Sequence, residues 1–531
     1  MKNLLFSPLL LLQKGFAPIS PLPLLAGFAT LSMVSTGVSA TAADKLVPPL
    51  VRSSDEASIK LASEAPPALR TVRYRLLEGS QLLDDCPICD RLSRPVPLRG
   101  ELDLVLVRET PIESVYEIAN AKLVADPGTQ GERIYLATGE YSQGGEVALR
   151  QQMTLNLRTE VNPGPPVSKT LTNGVPQPGR LWPMIGIELD DTDPTETSTY
   201  HVTILAAPVR EIWFSTRAGL TSGTLTTNGV SIRFAGDDLL SEAGRLVWSG
   251  SAALEKLQLE TAADTPGVDC ISPSPGGEVL WSLDAPASSP LLGKLQEGDA
   301  LSNQPKLWKS NQELIGKFGL QPPIPDLGLD ALQVLTSGEV LFSTRVDGFS
   351  EVLGEFLHHG DLLSNSGQIR RTNQDLLSRF KPSDPTRDYG LDAIYVWSSG
   401  EVWFSVADGF IDSSERTITD GDLLSDQGYV VMRNLDLLAK FQPLEDLAQF
   451  GLDSLLVVSD AEANPTPPVL LSAGPLSDGS AFHLKWRTPG SAVQVEFSLS
   501  VPGPYLPLSP ILTGTECSLP ITEGFFRLRQ W

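Results

Sequence analysis

Gly-Leu-Asp-Ala-Leu-Gln-Val (328–334) returns as Gly-Leu-Asp-Ala-Ile-Tyr-Val at 390–396 and as Gly-Leu-Asp-Ser-Leu-Leu-Val at 451–457, with a degenerate Gly-Val-Asp-Cys-Ile at 267–271. The aspartates of these stretches, Asp269, Asp330, Asp392 and Asp453, are spaced 61, 62 and 61 residues apart. A second motif, Gly-Asp-Leu-Leu-Ser, keeps the same phase and places Asp238, Asp299, Asp361 and Asp422 at the same three intervals. A third, Glu-Val-x-Phe/Trp-Ser, begins at Glu211, Glu278, Glu339 and Glu401. Three motifs in fixed order over four copies, two of them in strict phase, predict an array of like units whose apolar faces are buried by neighbours.

Each motif has a local reading. Val334 to Ser343 and Val396 to Ser405 read as strand, Ser-Gly turn, strand. The aromatic three places after each Glu (Phe214, Trp281, Phe342, Phe404) falls on one strand face and is expected in the core. Each unit closes with a short segment such as Asn373 to Phe380, expected to be a two-turn helix capped by its Asn; the first copy has Gly250 there, and its helix is expected to be the weakest. Four strands and a helical turn per unit is the content of a propeller blade. The first copy lacks the Leu-Asp-Ala strand and the last copy ends with it, Leu452 to Val458. In a closed ring that last strand completes the first blade and removes the loose edge. The alternative is an open stack in which Tyr200 to Ala206 fills the place.

The flanks frame the array of residues 209–460. Residues 1–40 carry Lys2 and Lys14, an apolar run from Pro21 to Val34, and Val38-Ser39-Ala40, the pattern of a cleavable secretory signal; a single membrane-anchoring helix is the other reading, against which Pro18, Pro21 and Pro23 count. Residues 41–69 read as a polar leader. Residues 70–208 alternate in short runs separated by Gly, Pro and Asp, which predicts a β-sandwich. Residues 461–468, Ala-Glu-Ala-Asn-Pro-Thr-Pro-Pro, read as a linker to a small β module at 469–531. The fold class is therefore mostly β: a β-sandwich, a four-unit β-propeller-like repeat array, and a small C-terminal β-sandwich module.

The formal charge is −24, and loss of residues 1–40 would make it −26. Such a surface repels nucleic acid and anionic lipid. No stretch after residue 40 is long and apolar enough to span a membrane. Cys86-Pro-Ile-Cys89 has the spacing of a disulfide, a redox dithiol or half a zinc site; it runs into a Pro-containing loop rather than a helix and lacks further ligands nearby, which favours a structural disulfide or inert loop.

Phe482-His-Leu-Lys-Trp486 and the final Phe-Phe-Arg-Leu-Arg of 525–529 resemble the L-x-W and F-[FY]-R-L-R strands of short fibronectin-type-III-like modules that close many secreted bacterial proteins. That resemblance implies a spacer, adhesion or sorting role. The repeats likewise resemble a class of secreted bacterial propeller-like proteins with D-A-L-x-V, G-E-x-x-F-S and G-D-L-L-S units, a class without known activity.

No HExxH, Gly-x-Ser-x-Gly or phosphate-binding glycine loop occurs. His358-His359 has no counterpart in the other copies and reads as exposed loop. The repeated aspartates are the one candidate constellation. In a closed ring Asp238, Asp299, Asp361 and Asp422 take equivalent places and could hold a cation, Ca²⁺ foremost; equally, each could cap a turn through backbone N–H groups. The same choice applies to Asp269, Asp330, Asp392 and Asp453. No other cofactor is implied. Two functions follow: a secreted or cell-surface, non-enzymatic binding or structural protein with an extracellular polysaccharide or protein as ligand, or a secreted hydrolase or lyase acting on polysaccharide at the propeller mouth. The first predicts polar residues already used by turns, and the second a pocket of converging carboxylates and aromatic platforms.

Overall fold

The alternating runs before Pro208 become ten strands in one sheet: β1 (Thr71–Leu76), β2 (Gln81–Asp85), β3 (Val96–Glu109), β4 (Glu113–Ala125), β5 (Arg133–Gly144), β6 (Arg150–Val161), β7 (Ser168–Thr172), β8 (Gln177–Pro178), β9 (Ile185–Asp191) and β10 (Thr199–Ala207). Strands β2 to β7 follow one another as antiparallel neighbours, β9 pairs with β7, and β10 pairs with both β9 and β2. The N-terminal region is thus a single sheet joined end to end, with β1 bridging β10 and β3. Every second residue points inward, so Tyr74, Leu104, Ile118, Tyr141, Met153 and Ile204 form its core. This computed structural model describes residues 71–531 apart from 87, 90–92, 147, 162–165, 196, 228, 260–265, 276, 322–325, 462–467, 477–480, 489–491, 501–504 and 520–523. The expected signal, the leader and most of the 461–468 linker lie outside the described residues.

The repeats form four sheets of four antiparallel strands each. In the first, the inner strand is the last of the array: Leu452–Ser459 pairs with Val209–Thr216, which pairs with Leu239–Ser241 and then Arg245–Trp248. The others start at Val268–Pro273, Ala331–Val334 and Ala393–Val396. The four inner strands lie side by side in a closed circuit, each beside the next and the last beside the first. The place left vacant in the first copy is therefore filled from the far end of the array, while Thr199–Ala207 stays in the N-terminal sheet. The loop after the second strand carries a two-stranded hairpin in every copy, such as Gly348–Ser350 with Glu355–Leu357. Phe214, Trp281, Phe342 and Phe404 are all fully buried.

The Ser of the Glu motif stitches each blade to the next. Ser282 Oγ donates to the Leu329 carbonyl (3.0 Å), Ser343 to Leu391 (2.7 Å) and Ser405 to Leu452 (2.8 Å). Only the junction from blade 1 to blade 2 differs: Ser215 Oγ is buried without a partner, and Ser454 Oγ of blade 1 accepts instead from the Ile271 N–H of blade 2 (2.8 Å).

The helix caps stand one residue earlier than the Asn suggested. Ser310 and Thr372 are the caps, each in a reciprocal capping box with Glu313 or Asp375. Asn373 is the first helical residue, and its side-chain amide donates to the Gly360 and Gly390 carbonyls. The same shift overturns the weak first helix. Ser249 caps it, and Gly250–Leu257 is the longest of the four. Glycine is required at 250 because a Cβ there would stand 2.3 Å from the Asp237 carbonyl oxygen.

The C-terminal module is two three-stranded sheets around Leu484, Trp486, Val493 and Val495. All described residues belong to one compact unit. Asp460, at the end of the closing strand, ties its parts together. It accepts from the Arg73 backbone N–H (3.0 Å), Arg210 Nε (2.7 Å), Arg529 Nη2 (2.8 Å) and Trp531 Nε1 (2.8 Å). No helix among the described residues is long and apolar enough to cross a membrane.

Candidate functional site: the aspartate mouth of the ring

The two sets of repeated aspartates have different fates. In the Gly-Asp motif one carboxylate oxygen accepts from the N–H at the helix start, twelve residues on, and the other from an N–H three residues back. Asp238 takes Gly250 and Ala235, Asp299 takes Asn311 and Gln296, Asp361 takes Asn373 and His358, and Asp422 takes Asn434 and Thr419, all at 2.8–3.2 Å. These four do not come together: among the described residues, no grouping of three potential metal ligands includes any of them. Each fastens its own turn to its own helix.

The aspartates of the other motif converge. Asp269, Asp330, Asp392 and Asp453 sit at the leading ends of the four inner strands and therefore ring one mouth of the channel. Two arginines reach over them. Arg217 Nη2 meets Asp392 (2.6 Å), its Nη1 meets Asp420 (3.2 Å), and it donates to the Ala407 carbonyl (3.1 Å). Arg345 repeats this across the ring, with Asp269 (2.5 Å), Glu297 (3.2 Å) and the Asp284 carbonyl (2.5 Å). Both arginines stand six residues after a motif Glu, and each serves the preceding blade. At that place the second and fourth copies carry Asp284 and Ala407. The ring thus alternates: Asp269 and Asp392 are braced by arginine, and Asp330 and Asp453 are not.

Electrostatics follow from that geometry. Burial raises all four carboxyls above their ordinary range; the other ring aspartates add to the shift at Asp269, Asp330 and Asp453, Asp420 adds to it at Asp392, and Arg345 and Arg217 oppose it. For Asp330, burial and then the charges of Asp392 and Asp453 push it up to about 7; for Asp453, burial and then Asp392 push it up to about 7. The mouth therefore changes charge near neutral pH. A protonated carboxyl there can donate, and an ionised one can take a cation or a protonated amine. By sequence alone the two sets of aspartates look alike, and the Gly-Asp set Asp238, Asp299, Asp361 and Asp422 stands as the metal candidate. The signal that separates the sets is the helix start twelve residues after each Gly-Asp, whose N–H claims that carboxylate.

The opposite mouth is closed in by the C-terminal module. A cavity of about 490 Å³ there is walled by the hairpin ends of blades 3 and 4, including Trp397, and by Ala492 and Trp531 of the module. Cys86 and Cys89 lie far along the chain from both mouths and are joined by a disulfide, with Cα atoms 5.2 Å apart. Cys270 is buried, and burial pushes its thiol well up.

No protein-family model matches the chain, and no curated protein matches it. Among solved structures the chain is similar to PorZ, described as an essential bacterial surface component of the type-IX secretion system of human oral-microbiomic Porphyromonas gingivalis. The two share 10% identity over 86% of this chain and 97% of that one, with a TM-score of 0.18. A score that low transfers neither fold detail nor role.

Proposed function

We propose that the protein is a secreted or cell-surface, non-enzymatic binding scaffold of the kind its repeats and C-terminal module resemble, offering the aspartate mouth to an extracellular polysaccharide or protein. The observation that carries this reading is how the repeat spends its carboxylates. Four hold turns and two are braced by arginine, so six of the eight recurring aspartates are engaged within the scaffold itself. Asp330 and Asp453 remain, facing the mouth, and suit a polyol hydroxyl or a cationic side chain rather than an anionic partner. The net negative charge likewise disfavours nucleic acid as a partner. A secreted hydrolase or lyase on polysaccharide is the second reading, favoured by these two carboxyls titrating at about 7, where a general acid operates.

One experiment separates the readings. The purified chain is incubated with a panel of neutral and amino polysaccharides, and retention on the polymer and release of new reducing ends are both measured. The scaffold reading predicts retention without release, weakened at least several-fold in Asp330→Asn/Asp453→Asn. Reducing ends released by the wild type and lost in either single variant would overturn it in favour of the enzyme.

A further inference from the structure

The third copy departs from its siblings at one edge of the aspartate mouth. Its Gly-Asp hook needs only the backbone N–H of residue 358, and the other copies place Ala235, Gln296 and Thr419 there. The imidazoles of His358 and His359 are additions that the hook does not require. They gather with two carboxylates from separate segments: Asp347, before the hairpin of blade 3, and Asp388, before the inner strand of blade 4. His358 Nδ1 lies 3.1 Å from Asp347 Oδ2, His359 Nδ1 lies 3.1 Å from Asp347 Oδ1, and His359 Nε2 lies 3.8 Å from Asp388 Oδ1. One ligating atom each from Asp347, His358 and Asp388 falls within 4.8 Å of the other two.

We propose that Asp347, His358 and Asp388 form a site for a borderline divalent transition metal, Zn²⁺ in particular, with the His359 ring set between the two carboxylates behind the ion. Ligands at the ~2.0–2.1 Å of a zinc site stand roughly 3.3 Å from one another in a tetrahedron. The 3.1 Å edge between His358 Nδ1 and Asp347 Oδ2 is already that short, and the remaining edges lie within 4.8 Å. An imidazole with two carboxylates suits zinc, whereas Ca²⁺ takes six to eight oxygens. The carboxylates are held in place: Asp388 accepts from the Gly360 and Gly390 N–H groups (3.1 and 2.8 Å), and Asp347 from the His359 N–H (2.9 Å). Asp347 and His358 are exposed, so an ion can enter and keep water as its fourth ligand. The second carboxylate has a counterpart in a copy without the histidines. Asp326, the counterpart of Asp388 in the preceding copy, makes the same two backbone bonds, to Gly298 and Gly328, and a third to Glu297, whose counterpart His359 N–H turns to Asp347 instead. Asp347 likewise has a counterpart, Asp408 of copy 4, in the same Asp-Gly-Phe segment, so the two histidines are what set copy 3 apart.

The test uses the full chain produced without a histidine tag, stripped by chelator and titrated calorimetrically with Zn²⁺ and separately with Ca²⁺, with Co²⁺ absorption as a readout of coordination. Wild type is expected to bind one Zn²⁺, to show tetrahedral Co²⁺ bands, and to lose at least tenfold in affinity in His358→Ala and in Asp347→Asn. His483→Ala, in the C-terminal module, should leave binding unchanged. Both site variants should melt like the metal-free wild type, so that lost affinity is not lost fold. The proposal is overturned if wild type binds no Zn²⁺, if Ca²⁺ binds and Zn²⁺ does not, or if the double variant His358→Ala/Asp347→Asn keeps wild-type stoichiometry and affinity.

Discussion

At the scale of single residues, one position decides how the aspartate mouth behaves. Six places after the motif Glu, copies 1 and 3 carry Arg217 and Arg345, and copies 2 and 4 carry Asp284 and Ala407. The fourfold ring therefore has twofold electrostatics. Motif reading could not extract this, because a position that alternates is scored as variable, and because each arginine serves a neighbour rather than its own copy. The consequence is measurable through linkage. The folded carboxyls of Asp330 and Asp453 lie near 7 against 3.8 for an ordinary aspartate, so between these values the folded chain holds protons that the unfolded chain has released. Stability should fall as pH rises from about 4 to about 7, and level off above. Melting curves of wild type and Asp330→Asn/Asp453→Asn across that window check it: the variant should lose less stability than wild type, and parallel profiles would contradict the assignment.

At the scale of elements, the departures from the repeat consensus are informative. In blades 1, 2 and 3 the motif Glu is met by a basic residue of the outer strand: Arg245 (2.5 Å), Lys306 (2.6 Å) and Arg370. In blade 4 that strand offers Tyr429, and Arg180 of the N-terminal sandwich supplies the charge to Glu401 (2.5 Å) while lying over the Tyr429 ring. Nearby, Arg433 stands where the other copies have Ser or Thr as helix cap and pairs instead with Glu78 of the sandwich (3.0 Å). Two exceptions in one blade thus mark where the sandwich docks, a relation visible only once the two segments are side by side. The inter-blade serines give the element-scale prediction. Removing Ser343 or Ser405 orphans a buried carbonyl and should cost roughly 1–3 kcal/mol. Ser215→Ala removes a hydroxyl that has no partner and should stay within about 0.5 kcal/mol of wild type or stabilise. Urea denaturation of the three Ala variants compares them directly.

At the scale of the whole molecule, the copy number, the strand order within a blade and the mixed ends of the array were legible because apolar patterning and turn glycines repeat with the fold. The joining of the N-terminal sheet end to end was not, since β9 and β10 carry no mark of which edges they meet, and neither was the Asp460 node, whose partners come from three distant segments. The central claim is that the final strand of the array returns to complete the first blade. Ser215 and Ser454 are register partners in that pairing, 239 positions apart in sequence. The direct measurement is thiol counting and peptide mapping, under mild oxidation, of Ser215→Cys/Ser454→Cys with Cys270 and Cys517 replaced by Ala. The closed ring predicts one new intramolecular disulfide, between positions 215 and 454, beside Cys86–Cys89 in a monomer, with no thiol left to label. Two free thiols, or a link formed only between chains, would contradict it.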